Sequence, residues 1–217
     1  MAEANRVHRI GDIPLDQAAL IEELCIGYHA VRRSGALAGD IAVVAGGGPV
    51  GLLTAAALRG LGVTTILHEP AEMRRRTAID VGIADRVVDP DTESLTDVVA
   101  AVSGGRGADV VFDCAGVPAA SGRLLDLLTV GGRLVLVALY TESPVFDVNT
   151  LIFKELSIQG SMGYVDAHRE VIDLVRAGKI DLAPFITARV RARDLVAGGL
   201  KRLLDEHDTQ VKMIVRL

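Results

Sequence analysis

The stretch Asp40-Ile-Ala-Val-Val-Ala-Gly-Gly-Gly-Pro-Val-Gly51 decides how this chain is read. Ile41 to Val44 is a short apolar, β-branched run of the kind that forms a buried strand. It leads straight into Gly46-x-Gly48-x-x-Gly51, and Leu52-Leu53-Thr54-Ala55-Ala56-Ala57-Leu58 then begins a helical pattern. In a dinucleotide site Gly46 allows the tight turn, Gly48 lets the backbone approach the pyrophosphate, and Gly51, after Pro49 and Val50, brings helix and strand close together. The free N–H groups and positive dipole end of the new helix then face the phosphates. A glycine pattern alone says little in a chain with 23 glycines. It gains specificity from the strand before, the helix after and an acidic residue at the end of the next strand. That strand is Val63 to His68, and it ends at Glu69-Pro70. A carboxylate there accepts both hydroxyls of an adenine ribose and repels a 2′-phosphate, which favours NAD over NADP. Arg74, Arg75 and Arg76 follow on a predicted helix, where they form either a phosphate clamp or, more commonly, a solvated basic face.

Composition fits one folded domain of moderate size. A chain of 217 residues can bury roughly 70% of its unfolded surface. Half of its residues are hydrophobic, yet no apolar run reaches the length of a membrane-spanning helix. The N-terminus carries no charged-then-apolar leader pattern. With 23 basic against 28 acidic residues, 3% aromatics and no basic stripe, nucleic-acid binding is not expected. Cys25 and Cys114 lie far apart and suit a reducing compartment as small core residues, which makes the cytoplasm the expected location.

Strand and helix patterns alternate along most of the chain. Helices are predicted over 72–81, 92–102, 118–128 and 167–177, and strands over 84–88, 109–114, 133–139 and 156–161. This β-α repetition argues for a doubly wound α/β fold, a parallel six-stranded sheet in the order 3-2-1-4-5-6 without long loops. Both ends depart from the repeat. Residues 15–33 read as one long helix, and residues 183–217 as strand (186–190), helix (192–204) and strand (211–215). The expected organisation is a linking segment over 1–34, a dinucleotide-binding domain over 35–182 and a terminal extension over 183–217.

Several motifs together resemble the medium-chain zinc-dependent alcohol and polyol dehydrogenases. They are Ala18-Ala19-Leu20-Ile21-Glu22 through Tyr28-His29-Ala30, Gly46 to Gly51, Glu69-Pro70, Phe112-Asp113-Cys114-Ala115-Gly116-Val117-Pro118, Gly131-Gly132-Arg133-Leu134-Val135, and Lys154 to Ser161. The Glu-Pro pair and the Ala-Gly-Val-Pro turn are most similar to the 2,3-butanediol dehydrogenase branch, followed by sorbitol and threonine dehydrogenases. The resemblance runs from about Asn5 to Leu217. It implies that Val50 packs under the pyrophosphate, Glu69 holds the ribose and Arg74 lies against the adenine. It places Ala115, Gly116, Val137, Ala138, Leu139, Ser161, Met162 and Gly163 along the cofactor, with the last two triplets lining the nicotinamide. Glu22 matches a glutamate found beside the catalytic metal in polyol-type relatives, although an exposed helix carboxylate is an equal alternative. Tyr164 matches a substrate-facing position. Leu156 to Ser161 matches an edge strand that pairs two subunits, which implies a homodimer.

The departures from that family carry as much weight. Its members begin with a catalytic domain that supplies the zinc ligands, and this chain starts about where that domain ends. His8, His29, His68, His168 and His207 share no ligand spacing with either cysteine, so no metal site is expected here and zinc is expected only in a full-length form. Glu23 stands where relatives carry a proline. Bound zinc lowers the pKa of water from about 15.7 to about 7. A similar effect on an alcohol is worth roughly 11 to 12 kcal/mol, or about eight decades in rate. Two readings follow: the cofactor domain of an NAD-dependent secondary-alcohol or vicinal-diol dehydrogenase, or a non-catalytic dinucleotide-binding or subunit-association module.

Overall fold

The structure, a computed structural model, describes residues 7–217. Asn5 and the first residues of the 1–34 segment therefore lie outside the described residues. Strands β1 (Ile41–Ala45), β2 (Thr64–His68), β3 (Arg86–Val88), β4 (Ala108–Asp113), β5 (Leu128–Leu136) and β6 (Ser157–Gly160) form one sheet in the order β3-β2-β1-β4-β5-β6, every pair parallel. This is the doubly wound order expected from the alternation of elements. Around it run α1 (Leu15–Ala18), α2 (Ile21–Ser34), α3 (Pro49–Gly60), α4 (Glu72–Val81), α5 (Leu95–Ser103), α6 (Pro118–Ser121), α7 (Val148–Phe153) and α8 (His168–Arg176). Beyond them β7 (Ile186–Arg191), α9 (Lys201–Asp205) and β8 (Lys212–Arg216) follow, with β7 and β8 paired in a separate parallel ribbon.

Parallel strands covered on both faces must be apolar throughout, and every residue of β1 is buried. Ala42 and Val44 pack with Leu24, Leu52, Phe112 and Val171 on the side of α2, α3 and α8. Ile41 and Val43 pack with Val98, Val111, Leu125 and Leu134 on the other. Helices α2 and α3 approach so closely that a Cβ on Gly27 would lie 2.8 Å from the Thr54 backbone nitrogen. At the turn before β5, the Lys154 ammonium donates to the carbonyls of Asp126 (2.9 Å) and Leu128 (3.0 Å).

Four expectations need correction. The predicted helix over 15–33 is broken, because Leu20 sinks into the core at 1% exposure and its N–H turns back to Gln17, separating α1 from α2. The helix over 118–128 ends early at α6 and tightens into a 3₁₀ turn over Gly122–Leu125. There the loop before α7 crowds it: a Cβ on Gly122 would lie 2.3 Å from the Val145 carbonyl. Strand β5 consequently starts at Leu128, runs through Gly131-Gly132 and stops at Leu136, and residues 137–147 form the long loop that was not expected. The helix over 192–204 is a succession of 3₁₀, π and α turns, with the weak helix formers Gly198 and Gly199 inside it.

Of the glycines, Gly51 has the least room: α3 lies so near the turn after β1 that a Cβ there would fall 1.9 Å from the Gly46 carbonyl oxygen. Gly51→Ala is expected to lower unfolding free energy by about 3 kcal/mol, at the upper end for forced overpacking. Gly60→Ala, in open space on the same helix, should be neutral or stabilising by up to about 1 kcal/mol. Urea denaturation of the two variants checks this; matching midpoints would show that the contact is loose.

Candidate dinucleotide-binding site

The site begins where β1 ends. Gly46 takes φ +100°, and its N–H donates to the His68 carbonyl at 2.9 Å, locking the turn to the end of β2. Gly48 has nothing within 4 Å of where a Cβ would stand. Above it lies open space, bordered by Pro49 and Val50 on the first turn of α3. Gly48 is the N-cap of that helix and brings no side-chain cap, so the first-turn N–H groups have no intrahelical acceptor and face outward as an anion-binding set. Open space and uncapped donors coincide at one place.

Glu69 stands at the end of β2, 3% exposed. Its Oε2 accepts from the Gly47 N–H at 2.5 Å and its Oε1 from the Ala71 N–H at 2.9 Å. The carboxylate is thus clamped in one orientation against the glycine turn, on the side of β1 away from β4. Arg74 places a guanidinium nitrogen 3.6 Å from Oε1 and donates through Nε to the Gln210 carbonyl at 3.2 Å. Arg75 does not join a solvated face. It is 15% exposed and donates to the carbonyls of Glu69 and Pro70 and to Asp89 (2.6 Å), bracing the loop that carries Glu69. Arg76 does point outward, paired with Glu72 one turn earlier. Burial pushes the His68 imidazole below its ordinary range, so it is neutral beside the turn.

On the other side of β1, Ala115 and Gly116 follow β4, and Val137, Ala138 and Leu139 follow β5. The two turns touch: with Gly116 at φ +64°, its Cβ would lie 2.9 Å from the Leu139 carbonyl oxygen. Ser161, at the end of β6, is 7% exposed, and its hydroxyl oxygen is buried without a hydrogen-bond partner among the described residues. Such a group needs an acceptor or donor from elsewhere. Met162 is 78% exposed, and Gly163 takes φ +55°. Burial raises the Cys114 thiol to about 12, which keeps it an uncharged wall group.

Glu22 is exposed on α2. Tyr164 lies edge-on to His168, ring centroids 4.8 Å apart, and His168 stacks on His8 at 4.6 Å. Burial, followed by the charge of Glu22, raises the Tyr164 hydroxyl, so these two residues share one neighbourhood. An open cleft of about 1000 Å³ runs along His8, Tyr164, His168 and Arg169. Among the described residues no three His, Cys, Asp or Glu side chains gather into a metal site.

Two groups escaped the sequence reading. Glu23 is 13% exposed and pairs with Lys212 on β8, joining α2 to the terminal ribbon. Asp113, present there only as part of a motif, is 1% exposed and accepts from both N–H groups of the Ala115-Gly116 turn. A buried carboxylate at a strand end was the available signal, and Glu69 shows the same pattern.

Residues 49–177 match the family model described as zinc-binding dehydrogenase. The chain is 41% identical over 210 residues to the (R,R)-butanediol dehydrogenase of Neisseria gonorrhoeae, covering 96% of this chain and 59% of that protein. It superposes on the crystal structure of 2R,3R-butanediol dehydrogenase from Bacillus subtilis with a TM-score of 0.88 and 30% identity, over 95% of this chain and 59% of that one. A zinc-binding dehydrogenase structure from Sinorhizobium meliloti, bound to NADP, matches with a TM-score of 0.78 and 32% identity, over 93% and 59%. The chain thus spans about three-fifths of the length of the relatives it matches, and it belongs to the zinc-binding dehydrogenase family, of which it carries the cofactor-binding part.

Proposed function

We propose that this chain binds NAD(H) as the cofactor part of a dehydrogenase acting on a secondary alcohol or vicinal diol. The observation that carries this reading is Glu69, buried and oriented against the glycine turn. The start of α3 would hold the pyrophosphate, Glu69 the adenine ribose hydroxyls, and Arg74 would lie against the adenine. Bound, the nicotinamide accepts or gives the hydride. The chain's own residues hold it in place: Val137, Ala138, Leu139, Ser161, Met162 and Gly163 form its surroundings, and the orphaned Ser161 hydroxyl is free to bond it. The substrate class follows the butanediol dehydrogenases among the relatives. On this reading residues 35–182 are the cofactor unit. Segment 1–34, with Glu22 and Tyr164, would face the catalytic part of a longer enzyme, and 183–217 is a terminal extension of the cofactor unit.

Family membership leaves the cofactor open, since one relative holds NADP; the buried carboxylate of Glu69 is what supports NAD in this reading. A 2′-phosphate brought beside this carboxylate meets like-charge repulsion, softened by Arg74. At an effective dielectric of about 20 this amounts to a few kcal/mol before that softening, or at least about tenfold in affinity. Fluorescence titration should show NADH binding at least about tenfold tighter than NADPH, and Glu69→Ala should narrow the gap to about threefold. Equal curves with the unmodified chain would overturn the assignment.

The chain by itself is expected to hold no stoichiometric zinc and to oxidise 2,3-butanediol only at a trace rate. Elemental analysis after dialysis and an assay of NADH formation decide this together. Bound zinc with ordinary turnover would overturn it.

We also infer a homodimer through the β6 edge, over residues 156–161. Val148, Ile152 and Phe153 are exposed on the neighbouring α7, an apolar surface of the kind that partners cover. The Ser161 N–H reaches inward to Leu136, so alternation puts the N–H groups of Ile158 and Gly160 on the outer edge. The outer Gly160 carbonyl already accepts from Arg33 Nε at 3.2 Å, so Arg33 must yield or share it. Light scattering at micromolar concentration should report a dimer, and Ile158→Pro, which removes an outward donor, should give a monomer. A monomeric parent, or a dimer indifferent to the proline, would rule out this edge.

A further inference from the structure

The sheet order divides the cofactor crevice in two. Glu69 ends β2 on one side of β1, while β4 and β5 lie on the other. A dinucleotide with its adenosine at Glu69 and its pyrophosphate at α3 must lay its second nucleoside across the carboxyl ends of β4 and β5. Two backbone turns form the rim there, Ala115-Gly116 and Val137 to Tyr140.

A single residue holds both turns. The Asp113 carboxylate accepts from the N–H groups of Ala115 (3.1 Å) and Gly116 (2.9 Å) after β4. Its other oxygen accepts from the Tyr140 hydroxyl at 2.7 Å, beyond β5, and from the Ser121 hydroxyl at 2.5 Å. The Asp113 carbonyl accepts from the N–H groups of Val137 and Ala138, each at 3.0 Å. At 1% exposure, water does not replace any of these bonds. Burial, and next the bond to Asp113, raise the Tyr140 hydroxyl above its ordinary range, so it remains a donor. A carboxylate that braced only its own turn would engage Ala115 and Gly116 alone. This one also reaches across to the second loop.

We propose that Asp113 is a positioning residue for the second-nucleoside half of the site: through Tyr140 and the Ala115-Gly116 amides it locks the two turns into one rim and so sets where the nicotinamide ring lies. The inference rests on the dinucleotide reading above. Tyr140→Phe removes one donor and leaves the packing volume nearly unchanged, and Asp113→Asn removes the charge that gathers them.

The test compares NADH with ADP-ribose, which lacks the nicotinamide, by calorimetric titration of the full chain and both variants. Loss of a hydrogen bond to a charged group should weaken NADH by about tenfold in Tyr140→Phe and at least as much in Asp113→Asn. ADP-ribose binding should stay within about twofold, and the fluorescence enhancement of bound NADH should fall with the affinity. Equal losses for both ligands, or no loss for either, would overturn the positioning role while leaving the dinucleotide reading intact. A parent chain that binds neither ligand would overturn both. If Asp113→Asn fails to fold, Tyr140→Phe alone decides the outcome.

Discussion

The contact between Gly51 and the Gly46 carbonyl governs where everything else can stand. With a Cβ excluded at 1.9 Å, the first turn of α3 sits directly on the end of β1. Its uncapped N–H groups open into the space above Gly48. The same placement buries Leu52, Leu53, Ala55, Ala56 and Leu58 between the sheet and α2. α2 closes on α3 through Gly27 and Thr54. One close approach therefore links anion geometry to core packing, and the dipole end of a buried helix becomes available to a ligand.

Around that turn the chain uses two buried carboxylates in the same manner. Glu69 and Asp113 each end a strand adjacent to β1, and each orders a loop by accepting backbone N–H groups. Buried ionised groups are tolerated only when their hydrogen-bonding capacity is met, and backbone donors meet it without a costly side-chain partner. The two differ in what they leave over. Glu69 keeps the Arg74 guanidinium beside it, whereas Asp113 spends its second oxygen on the hydroxyls of Ser121 and Tyr140. The first is suited to recognition and the second to bracing.

The terminal segments are attached by polar ties laid over apolar packing. Glu23 meets Lys212, Asp16 meets Arg189 at 2.6 Å, and Arg74 reaches the Gln210 carbonyl. Through Arg74 the helix after β2 is therefore in direct contact with the segment that leads into β8. Glu23 supplies one of these ties, a partly buried ion pair between α2 and β8.

Sequence by itself determined the sheet order, the glycine turn and the acidic residue beyond β2. These rest on local rules: strand and helix periods, the positive φ of Gly46, and the fixed spacing from glycine turn to next strand. Helix α4 has its read limits for the same reason, since Gly82 closes it in a left-handed conformation. Only the tertiary structure decided the break at Leu20, the shortened α6 and the long loop over 137–147. Each is a response to a distant element: the core beneath Leu20, or the Val145 carbonyl against Gly122. It likewise decided that Arg75 braces while Arg76 is solvated, and that Asp113 gathers Ala115, Ser121 and Tyr140. Neighbours in sequence have identical chemistry until packing assigns one to the interior. A carboxylate finds partners 27 residues away only after parallel register has brought the ends of β4 and β5 side by side.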